Sequence, residues 1–139
     1  MPDLTRAELA ELAAASGLAL AGVARPDPFD VERDYVTDHI ARGHTRGMDW
    51  FTADRAAQSA DPRTLHPGVR SIVAVGVPFR SGHVEPPDDG VLRGRIARYA
   101  WGRDYHKTLR ARMLDLVSRL EAALGRPVEA RTLSDTARA

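Results

Sequence analysis

RDYHKTLRARMLDLVSRLEAAL, residues 103–124, repeats apolar side chains at a helical period. Tyr105, Leu109, Met113, Leu116, Val117, Leu120 and Leu124 fall on one stripe, and Gly125-Arg126-Pro127 ends the run. Working outward, the stretch 71–79 (SIVAVGVPF) carries near-continuous Val and Ile, which predicts a strand buried on both faces, as in the centre of a sheet. Residues 127–135 on the other side predict a last strand. A helix set between strands favours an α+β domain with α/β-like alternation.

Further upstream, Thr5 and Glu8 have the spacing of a capping box. Leu9, Leu12 and Ala13 follow as one apolar stripe, and Gly17 is a natural stop. Leu18–Val23 reads as a short strand closed by Pro26 and Pro28. A second helix is expected from Pro28 to about Ala41, with Phe29, Val36 and Ile40 inward and Gly43 ending it. A helical turn is expected over Met48–Asp54. Asp61-Pro62 and Pro67-Gly68 predict irregular chain over Ala56–His66, and Pro86-Pro87 with Asp89-Gly90 predict a loop over Arg80–Leu92. A strand ending in Ser134-Asp135-Thr136 ordinarily feeds a further element. The expectation is therefore one N-terminal domain over 1–139, itself incomplete.

The 139 residues suffice for one core, and 43% hydrophobic with 28% charged residues is a globular composition. The chain has no cysteine, which excludes disulfides, thiolate-held zinc and any cluster ligated by this chain's own thiolates. No signal-peptide run opens the sequence and no window approaches a membrane span, so a soluble, cytoplasmic protein is expected.

Charge is distributed unevenly. Arg93, Arg95, Arg98, Arg103, Lys107, Arg110 and Arg112 face a single acid, Asp104, within twenty residues of a chain whose net charge is +1. Tyr99, Trp101, Tyr105 and His106 are interleaved with them. Cations and flat rings together suit a phosphate-bearing or macrocyclic ligand, because cations meet phosphates and rings stack. The competing account makes Lys107, Arg110 and Arg112 the wet face of the helix and gives Tyr105 to the core. Arg95, Arg98, Trp101 and Arg103 precede the regular helix, and there the ligand account is stronger. His39, His44, His66, His83 and His106 lack metal-ligand spacing, so no metal site is expected. Nucleotide-binding glycine loops and a nucleophile elbow are likewise missing. Asp135, at the end of a strand, can project into a cleft; as a local feature it more simply starts a turn or caps a helix.

The run Arg95-Ile96-Ala97-Arg98-Tyr99-Ala100-Trp101-Gly102-Arg103-Asp104-Tyr105-His106 resembles a segment of the epoxyqueuosine reductases. Asp61–Ile72, Gly47-Met48-Asp49-Trp50 and Ser134-Asp135-Thr136 are similar to further segments, in family order. The resemblance implies reduction of epoxyqueuosine to queuosine at the wobble position of tRNA, with cobalamin and two [4Fe–4S] clusters. It also implies a corrinoid-binding fold related to that of reductive dehalogenases. By the same resemblance Asp135 is the proton donor and a cofactor contact, Ala97 a corrinoid contact through backbone or van der Waals touch, and Arg98–His106 a wall of the corrinoid and tRNA site. Two departures stand out. Ser59 occupies a position where many relatives place a cobalamin-contacting arginine, and the cluster cysteines have no counterpart here. The implied partners are tRNA and a separate iron–sulfur-bearing chain, with no membrane. The alternatives are a non-catalytic tRNA- or corrinoid-binding paralogue and an inactive truncated remnant.

Overall fold

A computed structural model describes residues 4–79, 88–94 and 96–134. Helix α1 spans Arg6–Ala15, strand β1 Leu20–Ala24, helix α2 Asp30–Ala41, helix α3 Ala53–Ala60, a one-turn helix α4 Pro62–Leu65, strand β2 Ile72–Gly76, and helix α5 Tyr105–Leu124. A 3₁₀ turn at Arg98–Ala100 precedes α5. This is an α+β chain with a two-stranded sheet. It divides into two compact units, one gathering the described residues up to Gly22 and from Ala74 onward, the other running Val23–Val73.

In the first unit, α1 starts where the spacing predicts. The Thr5 hydroxyl accepts the Glu8 N–H at 3.2 Å, while the Glu8 carboxylate accepts the Thr5 N–H at 2.8 Å. Two amides that would lack helical partners are thereby satisfied. The chain then turns at Gly17, whose φ of 75° belongs to the left-handed region that favours glycine. Leu18 is thereby delivered into a core with Ala13 and Leu116, and Leu12, Ala21, Val75, Val77, Leu109 and Leu120 pack around them. Leu20, the first residue of β1, lies against Gly76, the last of β2, and the Ala19 N–H donates to the Gly76 carbonyl at 2.9 Å; the strands are antiparallel. Helix α5 is capped by Asp104 and stopped by Gly125 at φ 64°.

The second unit packs α2, α3 and α4 in sequence. Thr52 caps α3, and Ala56 and Ala60 are buried. The Phe29 N–H donates to the Ala60 carbonyl at 2.8 Å, tying the start of α2 to the end of α3.

Four local expectations are corrected. Phe29 caps α2 and is exposed rather than inward, while its backbone N–H is held by α3. Residues 56–66 are mostly helical: Asp61 accepts the Arg63 N–H, and Pro62 fits the first helical position, where no amide hydrogen is needed. β2 is not buried on both faces: among the described residues β1 is its only neighbour in the sheet, and Val73 stays 37% exposed. Residues 127–134 form no strand among the described residues; the Val128 N–H is taken by the Glu121 carboxylate at 3.0 Å.

Candidate functional site

Within the first unit a cleft of about 410 Å³ opens between the end of β2 and the first half of α5. Val75, Val77, Pro78 and Phe79 form one wall. Tyr105, Thr108, Leu109 and Arg112 form the other, and Tyr99 from the 3₁₀ turn stands beside them. Positions 105, 108/109 and 112 recur at three and four residues, which places these side chains on one face of the helix.

The rings are ordered by contacts with one another. Tyr99 meets Tyr105 edge-on, with centroids 5.9 Å apart and planes at 89°, and Tyr105 stacks on His106 at 4.0 Å and 27°. Offset and edge-to-face pairs of this kind suit the ring quadrupole. Asp104 fixes the base of the arrangement by accepting both the His106 backbone N–H at 3.0 Å and the His106 ring at Nδ1, 2.9 Å. Its carboxyl is held below the ordinary value of 3.8, first by the hydrogen bond from the His106 side chain and then by that from the backbone. An ionised carboxylate only accepts, so Nδ1 carries the proton and Nε2 becomes the basic atom of the neutral ring.

The segment before the helix divides into ordered and exposed parts. Ala97 begins the 3₁₀ turn with φ −58° and ψ 136°, its carbonyl accepting the Ala100 N–H at 3.0 Å. Arg98 is half-buried in that turn and Arg103 is exposed. The Trp101 indole N–H donates to the Ile96 carbonyl at 3.0 Å, leaving the ring 47% exposed. Arg93 is engaged by both carboxylate oxygens of Asp89, at 2.5 and 2.6 Å. It is thus partly neutralised.

Of the residues singled out from sequence, Tyr99 and Tyr105 line the cleft, with His106 stacked behind them. Ala97, Arg98, Trp101 and Arg103 flank it in sequence. Ser59 is exposed on α3, in the other unit. Asp135 and Arg95 lie outside the described residues. Sequence reasoning did not single out Thr108, and it left Arg112 between the basic ligand-facing cluster and the wet face of the helix. Arg112 looks like surface by composition, yet it falls one helical repeat beyond Tyr105, and that spacing was the available signal. Its Nη1 donates to the Gly17 carbonyl at 2.9 Å.

An α+β chain whose cleft is lined by apolar side chains, two tyrosines, Thr108 and Arg112 has the residue types of a small-molecule site. Residues 60–136, more than half of the chain, match the family model described as "Epoxyqueuosine reductase QueG, DUF1730". The chain belongs to that family. It is similar to the epoxyqueuosine reductase of Gloeobacter violaceus, 33% identical over 86% of this chain and 36% of the relative. That of Xanthomonas campestris pv. campestris is 32% identical over 98% of this chain and 39% of the relative. That of Bacillus subtilis is 28% identical over 93% and 33%. The chain thus spans about a third of the length of these curated relatives. No solved structure matches it. No helix among the described residues is long and apolar enough to cross a membrane.

Proposed function

We propose that the chain forms the corrinoid- and tRNA-facing side of an epoxyqueuosine reductase acting in the cytoplasm. The observation that carries this is the position of the basic, ring-bearing run: it lies inside the family-matched stretch 60–136, and its helix supplies one wall of the cleft. A corrinoid, when bound, supplies the low-valent cobalt chemistry that removes an epoxide oxygen, and its fold would be of the kind found in reductive dehalogenases. The residues present fit the flat body of such a group, since apolar Val75 and Val77 and the Tyr rings offer surface without charge, and Ala97 offers a small exposed contact. They do not fit a cluster, because no cysteine exists to ligate one. The cluster ligands, and with them the electron supply, would come from cysteines other than these 139 residues.

The chain's own residues bind and protonate. Arg95, Arg98 and Arg103 would meet tRNA phosphates, while Tyr99 and Trp101 offer faces for stacking. Converting the epoxide to an alkene takes two electrons and two protons and releases water. Asp135 is the proton donor to the leaving oxygen, a role carried by its match to the family segment Ser134-Asp135-Thr136. The second account is a tRNA- or corrinoid-binding paralogue without reductase activity, or an inactive remnant.

Cobalamin titration followed by visible spectroscopy tests the cofactor assignment. Because Ser59 replaces a cation and the chain spans a third of its relatives, the isolated chain should bind cobalamin weakly or not at all. A base-off spectrum is expected once the remainder of a relative is added. Tight base-off binding by the chain alone would contradict the idea of a half-site, and no base-off spectrum in the mixture would remove the cofactor role.

A further inference from the structure

Arg112 is the charged side chain that lines the cleft. Its hydrogen bond to Gly17 is its sole polar partner, and no carboxylate pairs with it, among the described residues. The contact with Gly17 is close. A Cβ at position 17 would lie 3.3 Å from the guanidinium Nε and 3.5 Å from Cζ, and the φ of 75° would strain any side chain there. Glycine thus lets a backbone carbonyl hold the guanidinium in place at the cleft wall. A guanidinium has five N–H donors, and this bond uses one.

A fixed cation beside apolar walls, with no counter-ion among the described residues, gains more from an incoming oxyanion than a solvated one does. Thr108 lies one turn before it on the same face, and its hydroxyl makes no hydrogen bond among the described residues. Tyr105 lies a further turn back, edge-on to Tyr99. Anion donors at one end and rings at the other share a volume of about 410 Å³, within the range of small-molecule sites.

We propose that this cleft binds a flat heteroaromatic ring carrying a phosphate, the phosphate on Arg112 and Thr108 and the ring against Tyr99 and Tyr105. The proposal rests on the cleft being a binding site, and on neither the corrinoid nor the reductase chemistry. The phosphate belongs either to a mononucleotide or to one residue of a nucleic acid strand.

AMP and adenosine serve as probes in amide-resolved NMR titrations of the 139-residue chain. AMP is expected to shift the amides of Val77, Thr108 and Leu109 and to bind at least about tenfold more tightly than adenosine, as a charge-assisted hydrogen bond implies. Arg112→Gln should reduce AMP to the affinity of adenosine without changing adenosine itself, while Arg112→Lys retains part of the preference. Equal affinity for AMP and adenosine in the native chain overturns the proposal whatever the variants do. So does unchanged AMP affinity in an Arg112→Gln chain that keeps its helical circular dichroism. Competition by a short single-stranded RNA would support the site as a nucleic acid contact; AMP binding without such competition would support it as a mononucleotide site. Absence of a base-off cobalamin spectrum in the mixture with the remainder of a relative, with the AMP preference of the chain intact, would count against the corrinoid assignment alone.

Discussion

Asp104 accepts an amide of the first turn of α5 and also sets which nitrogen of His106 faces it with a proton. Its carboxyl is depressed below 3.8 chiefly by the His106 side chain. A depressed folded value means that the stabilisation is fully present above the ordinary carboxylate value and is lost as pH falls through the lower one. The His106 amide resonance should therefore titrate with a midpoint below 3.8 in the intact chain. A midpoint at or above that value would show that the carboxylate is not held by the ring. The basic residues give a second prediction at this scale. Replacing Arg95 and Arg98 by Gln should weaken tRNA binding and lower the slope of log affinity against log salt by about one per lost phosphate contact. An unchanged slope would return both residues to ordinary solvated surface. Arg112 shows why residue type alone misleads. Composition groups it with Lys107 and Arg110, which are exposed, whereas the left-handed turn at Gly17, far away in sequence, draws it into the cleft.

Among the elements, α1 and α5 are legible because their signals are local. A capping pair or Asp cap starts each, an apolar stripe continues it, and a glycine at positive φ ends it. Residues 61–65 are less legible, since Asp-Pro marks a break in one context and opens a helix in another, and the preceding α3 decides which. The run 127–134 has strand composition without a strand, because a ladder needs a partner and Val128 finds a side-chain carboxylate instead. Packing of α5 can be checked directly. Leu116 is 4% exposed within the core and Leu114 is 50% exposed on the same helix. Leu116→Ala should cost about 2–4 kcal/mol in denaturant unfolding, and Leu114→Ala less than about 0.5 kcal/mol. Equal costs would mean that α5 is not seated on α1 and the sheet by this face.

At the scale of the whole molecule, the chain pairs a small core with many uncovered apolar side chains near the cleft. Phe79 is 65%, Ile96 70% and Tyr99 54% exposed. A two-stranded sheet is marginal by itself. Both facts agree with a chain that spans about a third of its curated relatives. Tyr99 and Tyr105 were legible as candidates because they lie in one contiguous ring-bearing run. The opposite wall of the cleft was not, since Val75, Val77 and Phe79 read as ordinary strand. The most direct test mixes this chain with the remaining two-thirds of the Gloeobacter relative, a reductant, cobalamin and tRNA bearing epoxyqueuosine, and follows queuosine by mass spectrometry of digested nucleosides. Neither polypeptide should produce queuosine alone, the mixture should, and Asp135→Asn should abolish it. Turnover by the 139-residue chain unaided, or none from a mixture shown to associate, would contradict the account.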